Sequence, residues 1–191
     1  SREGDLRAPA AALAGGILLA WSVMFARVLV TAALVHRPLA RELGPPLAAL
    51  TLLSLGGAAF TTRRAARTRQ APDVHVKNPF RLLAAMRFTL LLAAIQLLVE
   101  LAQRRWPGSG AYSVALLAGT TDVDAITLSM AEMARSGTEQ VPATAILLAV
   151  LSNTLVKLGL VSTLGTRALA RELAPVTLAV LAGGGAILWL A

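Results

Sequence analysis

Two carboxylates, Asp122 and Asp124, stand inside an apolar run, "LLAGTTDVDAITLSM" at residues 116–130, directly after the hydroxyls of Thr120 and Thr121. Each charge placed in hydrocarbon costs at least about 2.5–3.5 kcal/mol on insertion scales, so a pair of them calls for a purpose. A helix broken there presents free carbonyls from one half and free amides from the other. Carbonyls, carboxylates and hydroxyls together make an all-oxygen ligand set. Such a set suits Mg²⁺, Ca²⁺, Mn²⁺, Na⁺ or H⁺ better than a soft metal. Asp122, Asp124, Thr120 and Thr121 are therefore the candidate ion-binding residues, with the two Asp as metal ligands. A plainer role competes for one of them: Thr121 or Asp122 caps the second half-helix.

Two cations are embedded in the same way, Arg27 in "VMFARVLV" and Lys157 in "SNTLVK". Charges buried in a membrane usually pair, which makes Lys157 and Arg27 candidates to balance the carboxylates. A Lys that lets go of an Asp when a cation or proton arrives would be a coupling device. Asn153 lies four residues before Lys157, on the same helix face, and joins the set. Snorkelling to the membrane surface is the plainer role for the two cations, and interhelical hydrogen bonding for Asn153.

The elements that must position these residues are apolar helices. The chain has 191 residues, 56% of them hydrophobic, and a mean hydropathy of +0.68. Soluble domains lie nearer ~45–50% apolar. Ala and Leu dominate and no alternating pattern of strand length occurs, so the expected fold is all-α: a polytopic helical membrane protein with about six membrane segments. These run over about 10–35, 47–60, 79–103, 111–134, 141–164 and 175–191, with the fourth broken mid-membrane. Loops are expected at "HRPLARELGPP" and at "TTRRAARTRQAPDVHVKNPFR"; Asn78-Pro79 suits a helix start. Arg87, Gln96 and Glu100 fall in the third segment.

The net charge of +8 gathers between apolar runs, so it speaks for membrane orientation rather than nucleic-acid binding. Arg63, Arg64, Arg67, Arg69, Lys77 and Arg81 are expected to place the loop at 61–78, and with it the N-terminus, on the cytoplasmic side of the membrane; the membrane expected is a bacterial inner one. The chain has no cysteine and its two histidines make no metal pattern. No nucleotide loop or catalytic triad occurs, so an enzyme is not expected. A cleavable signal peptide is not visible, and the opening "SREGDLRAPAA" lacks an initiating Met.

An internal repeat is also expected. "LAREL" occurs at 39–43 and again at 169–173, an offset of 130 that aligns Ser22 with Ser152, Pro45 with Pro175, and Arg27 with Lys157. One transmembrane domain, 1–191, then holds two copies, about 10–105 and 106–191. Transporters often carry their sites at such repeat interfaces.

The motifs "GTTDVDAITLSMA", "SNTLVKLGL", "NPFRLLAAMRF" and "VMFARVLV" resemble the membrane domain of unknown function 4010, found at the C-terminus of MgtC/SapB-family proteins. Ala26 departs from the Pro usual in that pattern. The resemblance implies a further helix and a Ser/Thr-rich counterpart of the Asp-Val-Asp helix ahead of the first segment, so the first copy here is read as incomplete. It also implies a link to Mg²⁺ homeostasis and an MgtC/SapB-type N-terminal partner domain. The expected function is transport of a small inorganic cation, divalent and Mg²⁺-like or proton-coupled. The expected partners are the lipid bilayer, the ion and a second copy of the chain. The alternative is a regulatory membrane module of the MgtC type, in which the Asp–Lys set is a structural lock.

Overall fold

The computed structural model describes residues 2–67, 86 and 111–190. The described residues form six helices and no strand: α1 (Arg2–Val35), α2 (Arg37–Arg67), α3 (Ala111–Gly119), α4 (Val123–Ala134), α5 (Gln140–Leu164) and α6 (Arg167–Leu190). Four of them contain stretches long and apolar enough to cross a membrane: Pro9–Val35, Arg37–Ala66, Gln140–Leu164 and Arg167–Trp189. The segment expected at 79–103, with Arg87, Gln96 and Glu100, lies outside the described residues except for Met86.

The expected loop at "HRPLARELGPP" is absent. A single residue, His36, separates α1 from α2, which continues as helix through Pro45 and Pro46. Two prolines remove two backbone donors, and each interior proline costs about 3 kcal/mol or more. The compensation is an apolar stripe: Leu39, Leu43, Leu47 and Leu50 are all at most 1% exposed. Their spacing keeps one helix face against the core across both prolines. α6 likewise starts at Arg167 rather than at Pro175, with Leu173 and Val180 fully buried on either side of that proline. At the other end of α2, residues 61–67 continue the helix and are not loop. Thr61 and Thr62 return their hydroxyl protons to the Gly57 and Ala58 carbonyls one turn earlier.

α1 packs most extensively against α2, and α6 lies against both. Leu18, Phe25 and Val28 from α1 join Ile146 and Val150 from α5 in one core. Gly57 sets the α2–α6 approach, since a Cβ there would stand 2.5 Å from Val176 Cγ1. Large apolar side chains point outward, among them Trp189 at 85% and Leu34 at 82% exposed. Lipid, not water, is the solvent that suits such a surface.

Candidate functional site

The fourth apolar segment is broken where the sequence suggests. α3 ends at Gly119 and α4 begins at Val123. Gly119 is required by close approach: a Cβ on it would collide with the Ala149 backbone of α5. α3 is then sewn to α5 by two side chains. Ser152 Oγ donates to the Leu116 carbonyl and Asn153 Nδ2 to the Gly119 carbonyl, each at 2.8 Å. Asn153 thus satisfies a carbonyl that the break leaves without an intrahelical donor.

Thr120 and Thr121 turn back onto α3. Their hydroxyls donate to the Leu117 and Ala118 carbonyls at 2.7 and 2.9 Å, and the Asp122 amide also reaches Ala118 O. All four terminal carbonyls of α3 therefore accept from protein donors. Asp122 is exposed and extended (φ −145°, ψ 114°), and caps α4 by accepting from the Asp124 amide at 2.8 Å. Of the two roles open to Asp122, capping is the one its geometry displays.

Asp124, in the first turn of α4, reaches α1. Its Oδ2 lies 2.7 Å from Arg27 Nη2. Its Oδ1 is buried and has no hydrogen-bond partner. Asn153 Oδ1 is a second buried acceptor without a donor, on a residue 6% exposed. Lys157 lies within electrostatic range of both Arg27 and Asp124. No ion pair forms between Lys157 and Asp124, however: its ammonium donates to the Met24 thioether at 3.0 Å. Arg27, and not Lys157, is the carboxylate's partner. Thioether sulfur is a weak acceptor, so the Lys157 charge is poorly satisfied.

Arg27, Asp124, Asn153 and Lys157 therefore meet at one junction of α1, α3, α4 and α5, with Asp122 at its rim. Thr120 and Thr121 border it with their protons already committed. Among the described residues, no three His, Cys, Asp or Glu side chains are grouped as a metal would need. The Met24–Lys157 contact carried no sequence signal. The Ser152 and Asn153 bonds were half-visible, as a polar patch on an apolar helix.

A second polar contact lies at the ends of the helices. His36 Nε2 and Glu139 Oε1 are 3.2 Å apart. Hydrogen bonding from His36, then from its own backbone amide, holds the Glu139 carboxyl below its ordinary value.

Four membrane-length helices, with a charged junction in the broken fourth apolar segment, define a helical protein of the membrane-spanning class. The chain belongs to the family described as Domain of unknown function (DUF4010), whose model matches residues 2–165. An uncharacterized protein of Aquifex aeolicus (strain VF5) is 31% identical over 156 residues, which cover 80% of this chain and 68% of that protein. No solved structure matches the chain.

Proposed function

We propose that the chain moves a small inorganic cation across a bacterial inner membrane, with the junction at residues 119–124 as its site. One observation carries this reading. Asp124 is an ionisable group within an apolar segment, held by Arg27 through one oxygen while the other is buried and unpartnered. Ionisable residues at membrane depth commonly mark ion pathways. With Arg27 and Lys157 beside Asp122 and Asp124, the junction is balanced without cargo. An arriving cation competes with Arg27 for Asp124, so binding and rearrangement are linked.

The wider architecture supports the same reading. The chain breaks between helices at His36 and at Thr166, 130 residues apart, with α2 and α6 starting at Arg37 and Arg167. We read this as a duplicated unit, in keeping with the site lying between related halves. In this reading the N-terminus and the basic end of α2, with Arg63, Arg64 and Arg67, face the cytoplasm, and the chain works beside an MgtC/SapB-type domain or a second copy.

One feature favours a second reading, a regulatory module in which the junction is a lock. Every terminal carbonyl of α3 already accepts a protein donor. A thermal-shift panel in detergent separates the two. It tests Mg²⁺, Mn²⁺, Ca²⁺, Co²⁺ and Na⁺ across pH, with Asp122→Asn/Asp124→Asn as control. Transport predicts stabilisation by a cation or by pH that the double variant loses. A wild type indifferent to every cation and to pH, with a double variant that folds poorly, supports the lock.

A further inference from the structure

We infer that the protein stands in one of two alternating states, open at the His36 end of the bundle and shut at the opposite end by Arg64–Glu172 and Gly57–Val176; this rests on the transport reading and the duplicated unit above. α1 and α5 run in opposite directions. The end of α1 meets the start of α5 at His36 and Glu139, and Lys157, further along α5, reaches back to Met24. Two halves matched by the offset of 130 are therefore inverted. Inverted halves that differ in shape can exchange their shapes, and the exchange opens a site between them to one side and then to the other.

The two ends do differ in shape. At the His36 end a cavity of about 420 Å³ opens between α2, α5 and α6, lined by Glu42, Pro46, Glu139, Thr144, Leu147 and Ile187 among others. Leu147 stands two residues before Ala149, the backbone against which Gly119 of the broken segment packs. The matching places in the other half are filled. Glu172, the counterpart of Glu42, pairs with Arg64 at 3.4 Å. Val176 and Gly57, the counterparts of Pro46 and Ile187, are close-packed: a Cβ on Gly57 would stand 2.5 Å from Val176 Cγ1. Ala14, the counterpart of Thr144, is fully buried, and its neighbour Gly15 lies against Thr62. The Arg64 side chain is 56% exposed, and exposed ion pairs contribute little to stability. Such a closure opens and re-forms readily. In the other state the cavity forms around Ala14, Glu172 and Val176, while Glu42, Pro46 and Ile187 close on α5. In the orientation proposed above, the open end faces away from the cytoplasm.

The chain has no cysteine, so introduced thiols act alone. Gly57→Cys/Val176→Cys brings two Cβ atoms within reach of a disulfide. Oxidation of the full chain in proteoliposomes loaded with Mg²⁺ and pH reporters should form the bridge, pin this end shut and abolish cation flux. Reductant should restore it. Undiminished flux through the bridged protein overturns the inference, although the cation-transport reading then survives. Failure of the bridge to form also overturns it. A wild type that moves no ion sinks both. Thiol labelling in detergent, where both ends meet the reagent, decides the matter should the pair not fold. A charged thiol reagent should modify Thr144→Cys and spare its counterpart Ala14→Cys. Adding Arg64→Ala should slow the first reaction and quicken the second. Equal modification of the two, or rates indifferent to Arg64→Ala, overturns the inference.

Discussion

At His36 the chain turns from α1 into α2, and at Thr166 from α5 into α6. The two corners are alike in backbone and unlike in wiring. Thr166 closes on itself, its hydroxyl accepting from the Leu169 amide at 3.2 Å. His36 instead reaches across to Glu139, at the start of α5. Nine residues before each corner stands a cation. Arg27 holds Asp124 at 2.7 Å; Lys157 rests on Met24. Phe25 is fully buried, whereas Leu155, two residues before Lys157 as Phe25 is before Arg27, is 56% exposed. The difference separates two tasks: α5 seats the broken segment through Ser152 and Asn153, while α1 supplies the counter-charge from the other side.

The seat should be the more fragile of the two. Gly119→Val drives a Cβ into the Ala149 backbone, and overpacking of this kind costs about 1–3 kcal/mol, occasionally more. We expect the largest loss of thermal stability in detergent from this change; a wild-type melt would contradict the α3–α5 approach. Next comes the counter-charge. Arg27→Gln should cost about 1–2 kcal/mol, between the values for exposed and buried pairs, because the Arg27 and Asp124 side chains are 61% and 38% exposed. Lys157→Gln should cost less. A double-mutant cycle with Asp124→Asn should show coupling to Arg27 well above that to Lys157. Equal coupling would erase the distinction between the two cations. Asn153→Leu leaves the Gly119 carbonyl without its donor, at about 1 kcal/mol, read from denaturant or thermal melts.

The smallest effect belongs to the His36 corner. Glu139 is held below its ordinary 4.5, so its contribution is present above pH 4.5 and is lost as pH falls through the lower folded value. Wild type and Glu139→Gln should therefore differ slightly at neutral pH and converge in acid. A gap that widens on acidification would reverse the sign of this contact.

Much of the junction was legible in the sequence. "GTTD" in an apolar run announced the break, and Arg27, Asn153 and Lys157 stood out because polar groups in hydrocarbon are costly. Their pairing was not legible, because helix packing, not spacing along the chain, decides which cation reaches Asp124. The loop expected at 36–46 fails for a related reason. "HRPLARELGPP" has the composition of a loop, yet Leu39, Leu43, Leu47 and Leu50 carry a helical stripe straight through it. Burial of that stripe outweighs the two prolines. The same holds at Pro175. Gly119 signalled the break but not the close approach, which exists only against Ala149.

The central claim is that the carboxylates of the broken segment carry a cation. Its most direct measurement is ion flux into proteoliposomes loaded with pH and Mg²⁺ reporters, comparing the wild type with Asp122→Asn/Asp124→Asn at equal incorporation. The account predicts cation movement through the wild type and none above empty liposomes for the double variant. Equal flux through both would contradict it.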